Sequence, residues 1–143
     1  MKILTLIVLS AAVGCGGSST AKLPVLNITA PSGGALVTLG ADKSAPMSYT
    51  VSDFAVKPVG ACGSLSTSCG HVHVLIDGTA CNPPNSPYNG TGETAGSAVA
   101  KFALCAMPTG KHTVTLELHD DAHNPINSTN GQVIQASVAF TTQ

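Results

Sequence analysis

The fold is decided by the stretch Gly70-His71-Val72-His73-Val74-Leu75-Ile76-Asp77 and by a second stretch, Lys111-His112-Thr113-Val114-Thr115-Leu116-Glu117-Leu118-His119. Both are rich in β-branched residues, and apolar positions alternate along them with polar ones. This period of two residues is typical of a β-strand with one face toward a core. The two stretches therefore predict strands over 71–77 and 111–119.

Five more runs of similar composition flank these two, and clusters of Gly, Pro, Asn and Ser separate them. Seven short strands with such turns predict an all-β fold, an immunoglobulin-like antiparallel β-sandwich of about seven strands. We expect one domain over residues 24–143. The additional strands are predicted at 25–29, 35–39, 47–52, 98–104 and 133–141.

The N-terminus predicts export. Residues 3–13 are an apolar run with the length of a signal-peptide core, shorter than the roughly 20 residues that span a bilayer. The following Ala12-Val13-Gly14-Cys15 resembles the lipobox of bacterial lipoproteins, whose cysteine thiol is lipidated after cleavage. This resemblance implies a signal peptide over 1–14, lipidation of Cys15, a tether over 15–23, and a membrane anchor in the bacterial cell envelope. Bacterial lipoproteins retained in the inner membrane typically have Asp after the lipidated Cys, so by this resemblance Gly16 implies the outer membrane.

The other four cysteines are an even number in a chain expected to reach an oxidising compartment, which predicts two disulfide bonds. Of the three possible pairings, we favour Cys62 with Cys69, which closes a Gly/Ser-rich loop, and Cys81 with Cys105. The spacing lacks the close ligand pairs of a four-thiolate zinc site.

Composition excludes several classes of function. Only 9% of residues are charged and the net charge is −1, so a nucleic-acid-binding surface is not expected. No Gly-x-Ser-x-Gly elbow marks a hydrolase nucleophile. We therefore expect a non-enzymatic module that binds a ligand or an envelope protein partner.

An alternative function is suggested by the five histidines, all of which lie in or just after the two stretches. His71 and His73 share a strand face about 7 Å apart, which suits one copper or zinc ion. If the second strand lies beside the first, His119, His123 or Asp120 would supply a third ligand. The competing interpretation is that the histidines are hydrogen-bonded residues that fix loops. We expect a structural role for His112, and we place His119 at the end of a solvent-facing row.

The two histidine stretches, extended through His123-Asn124-Pro125, resemble a family of exported bacterial domains of unknown function. Its members share a His-x-His strand ending in Leu-Ile-Asp and a later Gly-x-His-Thr strand followed by Asp and His-x-Pro. The resemblance covers roughly residues 70–141 and implies export and a common fold. This chain has Val72 and Ile126 where that family tends to carry further histidines.

Overall fold

Two β-sheets pack face to face in the computed structural model, which describes residues 22–143. The expected signal peptide, Cys15 and most of the tether lie outside the described residues. Within 22–143, no helix has the length and apolarity needed to cross a bilayer. One short 3-10 helix, Phe102–Leu104, accompanies nine strands: β1 Val25–Ala30, β2 Leu36–Val37, β3 Ser44–Ser52, β4 Ala55–Val56, β5 Cys69–Ile76, β6 Gly90–Gly92, β7 Ser97–Lys101, β8 Gly110–His119 and β9 Gln135–Thr142.

The smaller sheet has the order β1-β3-β7 and is antiparallel throughout. The larger sheet has the order β2-β9-β8-β5-β4, and β6 also pairs with β5. Its long strands β5, β8 and β9 are antiparallel, whereas the short strands β2 and β4 are parallel to their neighbours. This arrangement is the immunoglobulin-like β-sandwich that the sequence predicts.

Each of the seven predicted runs contains a strand, and two short strands are additional. β4 and β6 have two and three residues, too few to show a period in the sequence. The run predicted over 98–104 is divided, because β7 ends at Lys101 and the chain turns into the 3-10 helix. This turn buries Phe102, whose backbone N–H donates to the Lys43 carbonyl at 2.8 Å.

The core lies between the sheets and is built by strand alternation. On β3, inward side chains alternate with mostly exposed ones, and on β8 they alternate with exposed or half-buried ones. Full burial of an aliphatic side chain contributes about 1.5–3 kcal/mol, so these rows dominate the stability of the fold. The inward buried residues of these two strands are Ala45, Met47 and Tyr49 on β3, and His112, Val114, Leu116 and Leu118 on β8.

Strand β5 differs from the others because both of its faces are buried. Val72, Val74 and Ile76 point into the core, and all three are 0% exposed. On the opposite face, His71 and His73 are 0% and 3% exposed. A strand buried on both faces needs a cover on its outer side, and loops that carry Tyr88 and His123 supply it.

Both disulfides pair as predicted. Cys62–Cys69 closes the loop that leads into β5, and Cys81–Cys105 joins the segment after β5 to the end of the 3-10 helix. Because disulfides form and persist mainly in oxidising compartments, they indicate an extracellular or envelope location.

Candidate metal centre

The first two histidines of the site are placed by β5 itself. Residues two apart on a strand share a face, so His71 and His73 lie together on the outer side of the larger sheet. β8 runs antiparallel beside them, with His71 opposite His119 and His73 opposite Glu117. The register therefore brings the end of β8 next to the histidine pair.

A tight turn after β8 carries the third histidine. His123 N–H donates to the Asp120 carbonyl, and Asp120 N–H donates to the Asn124 carbonyl, both at 3.0 Å. The Asp120 carboxylate closes the turn further by accepting hydrogen bonds from the backbone N–H groups of Ala122 and Asn124. His123 has a φ of +62°, in the left-handed region, which folds the chain back toward β5.

Three ring nitrogens meet in a nearly equilateral triangle. His71 Nε2 lies 3.0 Å from His73 Nε2 and 3.2 Å from His123 Nδ1, and the last two atoms are 3.0 Å apart. We call this group the histidine triad. Each nitrogen presents either a lone pair or an N–H, so at least two of the three must be alike. A hydrogen bond needs one N–H and one lone pair, so at least one of the three contacts must join two lone pairs or two N–H groups.

A transition-metal ion would remove this conflict because it accepts a lone pair from each nitrogen. Tetrahedral ligands at about 2.0–2.1 Å from zinc lie roughly 3.3 Å from one another. The triad separations of 3.0–3.2 Å are slightly smaller and need only a small outward movement of the rings. Within the described residues, these three histidines form the group of ligand atoms that could hold a metal ion.

The environment of His71 and His73 favours neutral rings. Burial lowers the pKa of His71, and the neighbouring His123 and His119 lower it further. Burial also dominates at His73, where His119, His71 and His123 add to it and the pKa falls to about 2. A neutral imidazole is the form that coordinates a metal, so these two ligands need not lose a proton at neutral pH.

His119 lies beside the triad but outside it. Its ring stacks on His73 with centroids 3.7 Å apart. Its Nδ1 donates to the His123 carbonyl at 3.0 Å, and its Nε2 lies 3.2 Å from the Glu117 carboxylate. With both nitrogens engaged, His119 orients the His123 turn. The expectation of a solvent-facing His119 is wrong, because the turn covers it and leaves it 7% exposed.

Asp120, another ligand candidate from the sequence, is also outside the triad. Its Oδ1 accepts from Ala122 and Asn124, and its Oδ2 accepts from Leu65 N–H and the Asn124 side chain. Burial alone would raise the pKa of Asp120, but these hydrogen bonds outweigh it and lower the pKa. Both oxygens are thus occupied in holding the turn.

Tyr88 is a site residue that the sequence pattern does not reveal. Its ring lies 3.9 Å from the His73 ring and 5.6 Å from the His123 ring, measured between centroids. It sits in the loop between Cys81 and the start of β6. The adjacent Asn89 anchors that loop by donating to the carbonyls of Cys81 and Lys101. The signal that the sequence offers is the rarity of the residue, because Tyr88 is one of only two tyrosines in the chain.

The fifth histidine, His112, lies at the far end of the same two strands. Its Nδ1 is 2.7 Å from Asp77 Oδ2, and Asp77 Oδ1 accepts from Thr113 N–H at 2.8 Å. The His112 ring packs on Phe102 with centroids 5.0 Å apart. A cleft of about 370 Å³ borders Asp77 and His112, but the Asp77 oxygens are already paired with the protein. These contacts join the end of β5 to the start of β8.

No family model and no curated protein sequence matches this chain. Among solved structures, fibronectin(III)-like modules of Clostridium thermocellum CbhA are similar, with 17% identity and a TM-score of 0.49. The match covers 85% of this chain and 47% of that one, so this chain spans about half the length of that structure.

Proposed function

We propose that this protein binds one copper or zinc ion through His71, His73 and His123. The observation that carries the proposal is the convergence of three ring nitrogens at 3.0–3.2 Å, which hydrogen bonds alone cannot fully satisfy. Two of the rings are buried, and their neutral forms have lone pairs available for a metal. Imidazole ligands suit both copper and zinc, and the arrangement does not choose between them.

The proposed role is binding rather than catalysis. The carboxylates closest to His123 in sequence accept backbone hydrogen bonds, Asp120 from Leu65, Ala122 and Asn124, and Asp121 from Cys62 and Gly63. A general base must be free to take a proton from a reacting group. The hydrogen bonds lower the pKa of both carboxylates, which makes them weak bases and poorly suited to that task.

We place this binding protein in the bacterial cell envelope, held by a lipid on Cys15. The apolar run over 3–13 and the lipobox-like Ala12-Val13-Gly14-Cys15 support the anchor, and the two disulfides support export. Two or more acyl chains hold a protein stably on a membrane, whereas one chain binds marginally. The resemblance to exported bacterial domains of unknown function is consistent with this location.

The metal proposal is tested by titrating the protein with Zn²⁺ and, separately, Cu²⁺ under calorimetry. The protein is produced with its disulfides formed and without a polyhistidine tag. We expect one ion per chain, bound more tightly than about 1 μM. His73→Ala and His123→Ala should each lower the affinity at least tenfold. His123 is exposed, so its replacement is the variant least disruptive to folding.

His112→Gln is the matched control, because it changes a buried histidine that belongs to the Asp77 contact and not to the triad. It should bind metal as the unmodified protein does. Binding weaker than micromolar by the unmodified protein, or equal losses in the triad variants and the control, would contradict the proposal.

The anchor is tested by labelling producing cells with radioactive palmitate. Label should enter the protein and be lost in Cys15→Ser. Equal labelling of the two proteins would contradict lipidation at this cysteine.

A further inference from the structure

His123 is the triad ligand whose position depends most on contacts outside its own strand. His71 and His73 are fixed by the backbone of β5, and both are buried. His123 lies on an exposed turn after the end of β8. A metal site needs ligand positions correct to about 0.2 Å, so whatever holds this turn controls the affinity.

The turn is joined to the loop that Cys62–Cys69 closes. Asp121 Oδ2 accepts the backbone N–H groups of Cys62 and Gly63, each at 2.6 Å. The Asp120 carboxylate adds a bond from Leu65 N–H at 3.0 Å. Hydrogen bonds to a carboxylate are about twice as strong as those between neutral groups. Two successive acidic residues thus fasten the His123 turn to one loop.

The same loop is joined covalently to the strand that carries the other two ligands. Cys69 is the first residue of β5, two positions before His71, and its disulfide partner is Cys62. A continuous connection therefore runs from His71 along β5 to Cys69, across the disulfide to Cys62, and through the hydrogen bond to Asp121, two residues before His123. It links the first and third ligands without passing through the metal.

We propose that Asp121 and the loop closed by Cys62–Cys69 position His123, so that an intact disulfide keeps the metal affinity high. This inference rests on the proposed function. Asp121 acts through His123 and is a positioning residue, not a ligand. Loss of such supporting contacts around metal ligands typically lowers metal affinity about 10–100-fold.

The test compares metal affinities of Asp121→Ala, Asp121→Asn and the double variant Cys62→Ser/Cys69→Ser, with Zn²⁺ as the probe. Serine is used because free thiols would themselves bind the ion. Asp121→Ala and the serine variant should bind about 10–100-fold more weakly. Asp121→Asn should keep most of the affinity, since its amide oxygen can accept the same two N–H groups. Asp42→Ala, a change in the turn before β3, is the control and should leave the Zn²⁺ affinity unchanged.

A double-mutant cycle separates positioning from a general loss of structure. If Asp121 acts through His123, Asp121→Ala should cause no further loss in a His123→Ala background. An equal loss in both backgrounds, or unchanged affinity in Asp121→Ala, would overturn the inference while leaving the metal site intact. If the serine variant fails to fold, the Asp121 variants decide. Failure of the unmodified protein to bind Zn²⁺ and Cu²⁺ would contradict the proposed function, and the inference would fall with it.

Discussion

Replacing Gly70 with alanine should destabilise the protein strongly, because β5 and the end of β8 approach each other closely at this residue. A Cβ at Gly70 would overlap the His119 carbonyl oxygen and would lie 3.0 Å from the His119 carbonyl carbon and 3.1 Å from Asp120 Cα. All three obstacles are backbone atoms, so no side-chain rotation can relieve the clash. Restoring ordinary contact requires the end of β8 to move by about 1.5 Å.

Overpacking of this kind costs about 1–3 kcal/mol, and we expect the upper end, near 3 kcal/mol, because backbone must move. For a domain of this size, that corresponds to a drop in melting temperature of roughly 10 °C. The displaced segment also carries the His123 turn, so metal affinity should fall with stability. Urea unfolding followed by circular dichroism measures the first effect, and Zn²⁺ titration of the folded fraction measures the second.

Gly33→Ala provides the control. A Cβ at Gly33 meets nothing within 4 Å, and the residue does not need a left-handed backbone. Its free energy of unfolding should stay within about 0.5 kcal/mol of the unmodified value. An equally mild effect of Gly70→Ala would contradict the close approach of β5 to the end of β8 at this residue.

Of three more predictions, two concern residues that do not bind the metal, and the third concerns the stability of the metal-free protein. Asp77→Ala should cost about 2–3 kcal/mol of stability, because it leaves His112 Nδ1 and Thr113 N–H without an acceptor. Metal affinity should stay unchanged, and a large loss of affinity would contradict the separation of the two sites. Asn89→Ala should cost about 2–4 kcal/mol of stability, because the Asn89 side chain hydrogen-bonds the Cys81 carbonyl and both backbone groups of Lys101. Asn27 is exposed, so Asn27→Ala should leave the urea midpoint unchanged. The metal-free protein should lose stability as the pH falls below about 6.5. Folding lowers the pKa values of His71 and His73, so the unfolded chain binds protons that the folded chain does not bind. The loss of stability continues toward the pKa of about 2 at His73. A urea midpoint that does not change between pH 7.5 and pH 5.5 would be inconsistent with neutral, buried rings.

The sandwich and the histidine pair follow from local rules that the sequence displays. Alternation along residues 71–77 places His71 and His73 on one face and three aliphatic residues on the other, and burial agrees with this division. The disulfide pairing follows from the short Gly/Ser-rich separation between Cys62 and Cys69 and from the even number of cysteines that remains when Cys15 is set aside. Such features depend on neighbours in the chain, which is why a single sequence predicts them.

The choice of the third triad member depends on a turn that periodicity does not describe. His119 and His123 are both candidates in sequence, and the structure separates them by the left-handed φ of His123 and by the hydrogen bond from His119 to the His123 carbonyl. An Asp followed by a short polar segment, as at Asp120, does favour such a side-chain-closed turn. The sequence contains that signal, but the direction in which the turn faces depends on the distant Cys62–Cys69 loop.

Sequence patterns also do not predict which segments cover the outer face of β5. Tyr88 reaches His73 because Asn89 and the Cys81–Cys105 disulfide hold its loop, a combination of contacts between segments far apart in the chain. Strand alternation predicts a solvated face where a histidine pair alternates with valines. Loops convert that face into a buried one, and burial is what lowers the pKa of both rings.

The coordination shell of a bound ion tests the central claim most directly. X-ray absorption spectroscopy on the protein loaded with one equivalent of Zn²⁺, and in parallel with Cu²⁺, reports the number and type of ligands. The histidine triad predicts three imidazole nitrogens at about 2.0–2.1 Å, falling to two in His123→Ala and unchanged in His112→Gln. A shell of oxygen ligands with one imidazole or none, or an identical shell in His123→Ala, would contradict it.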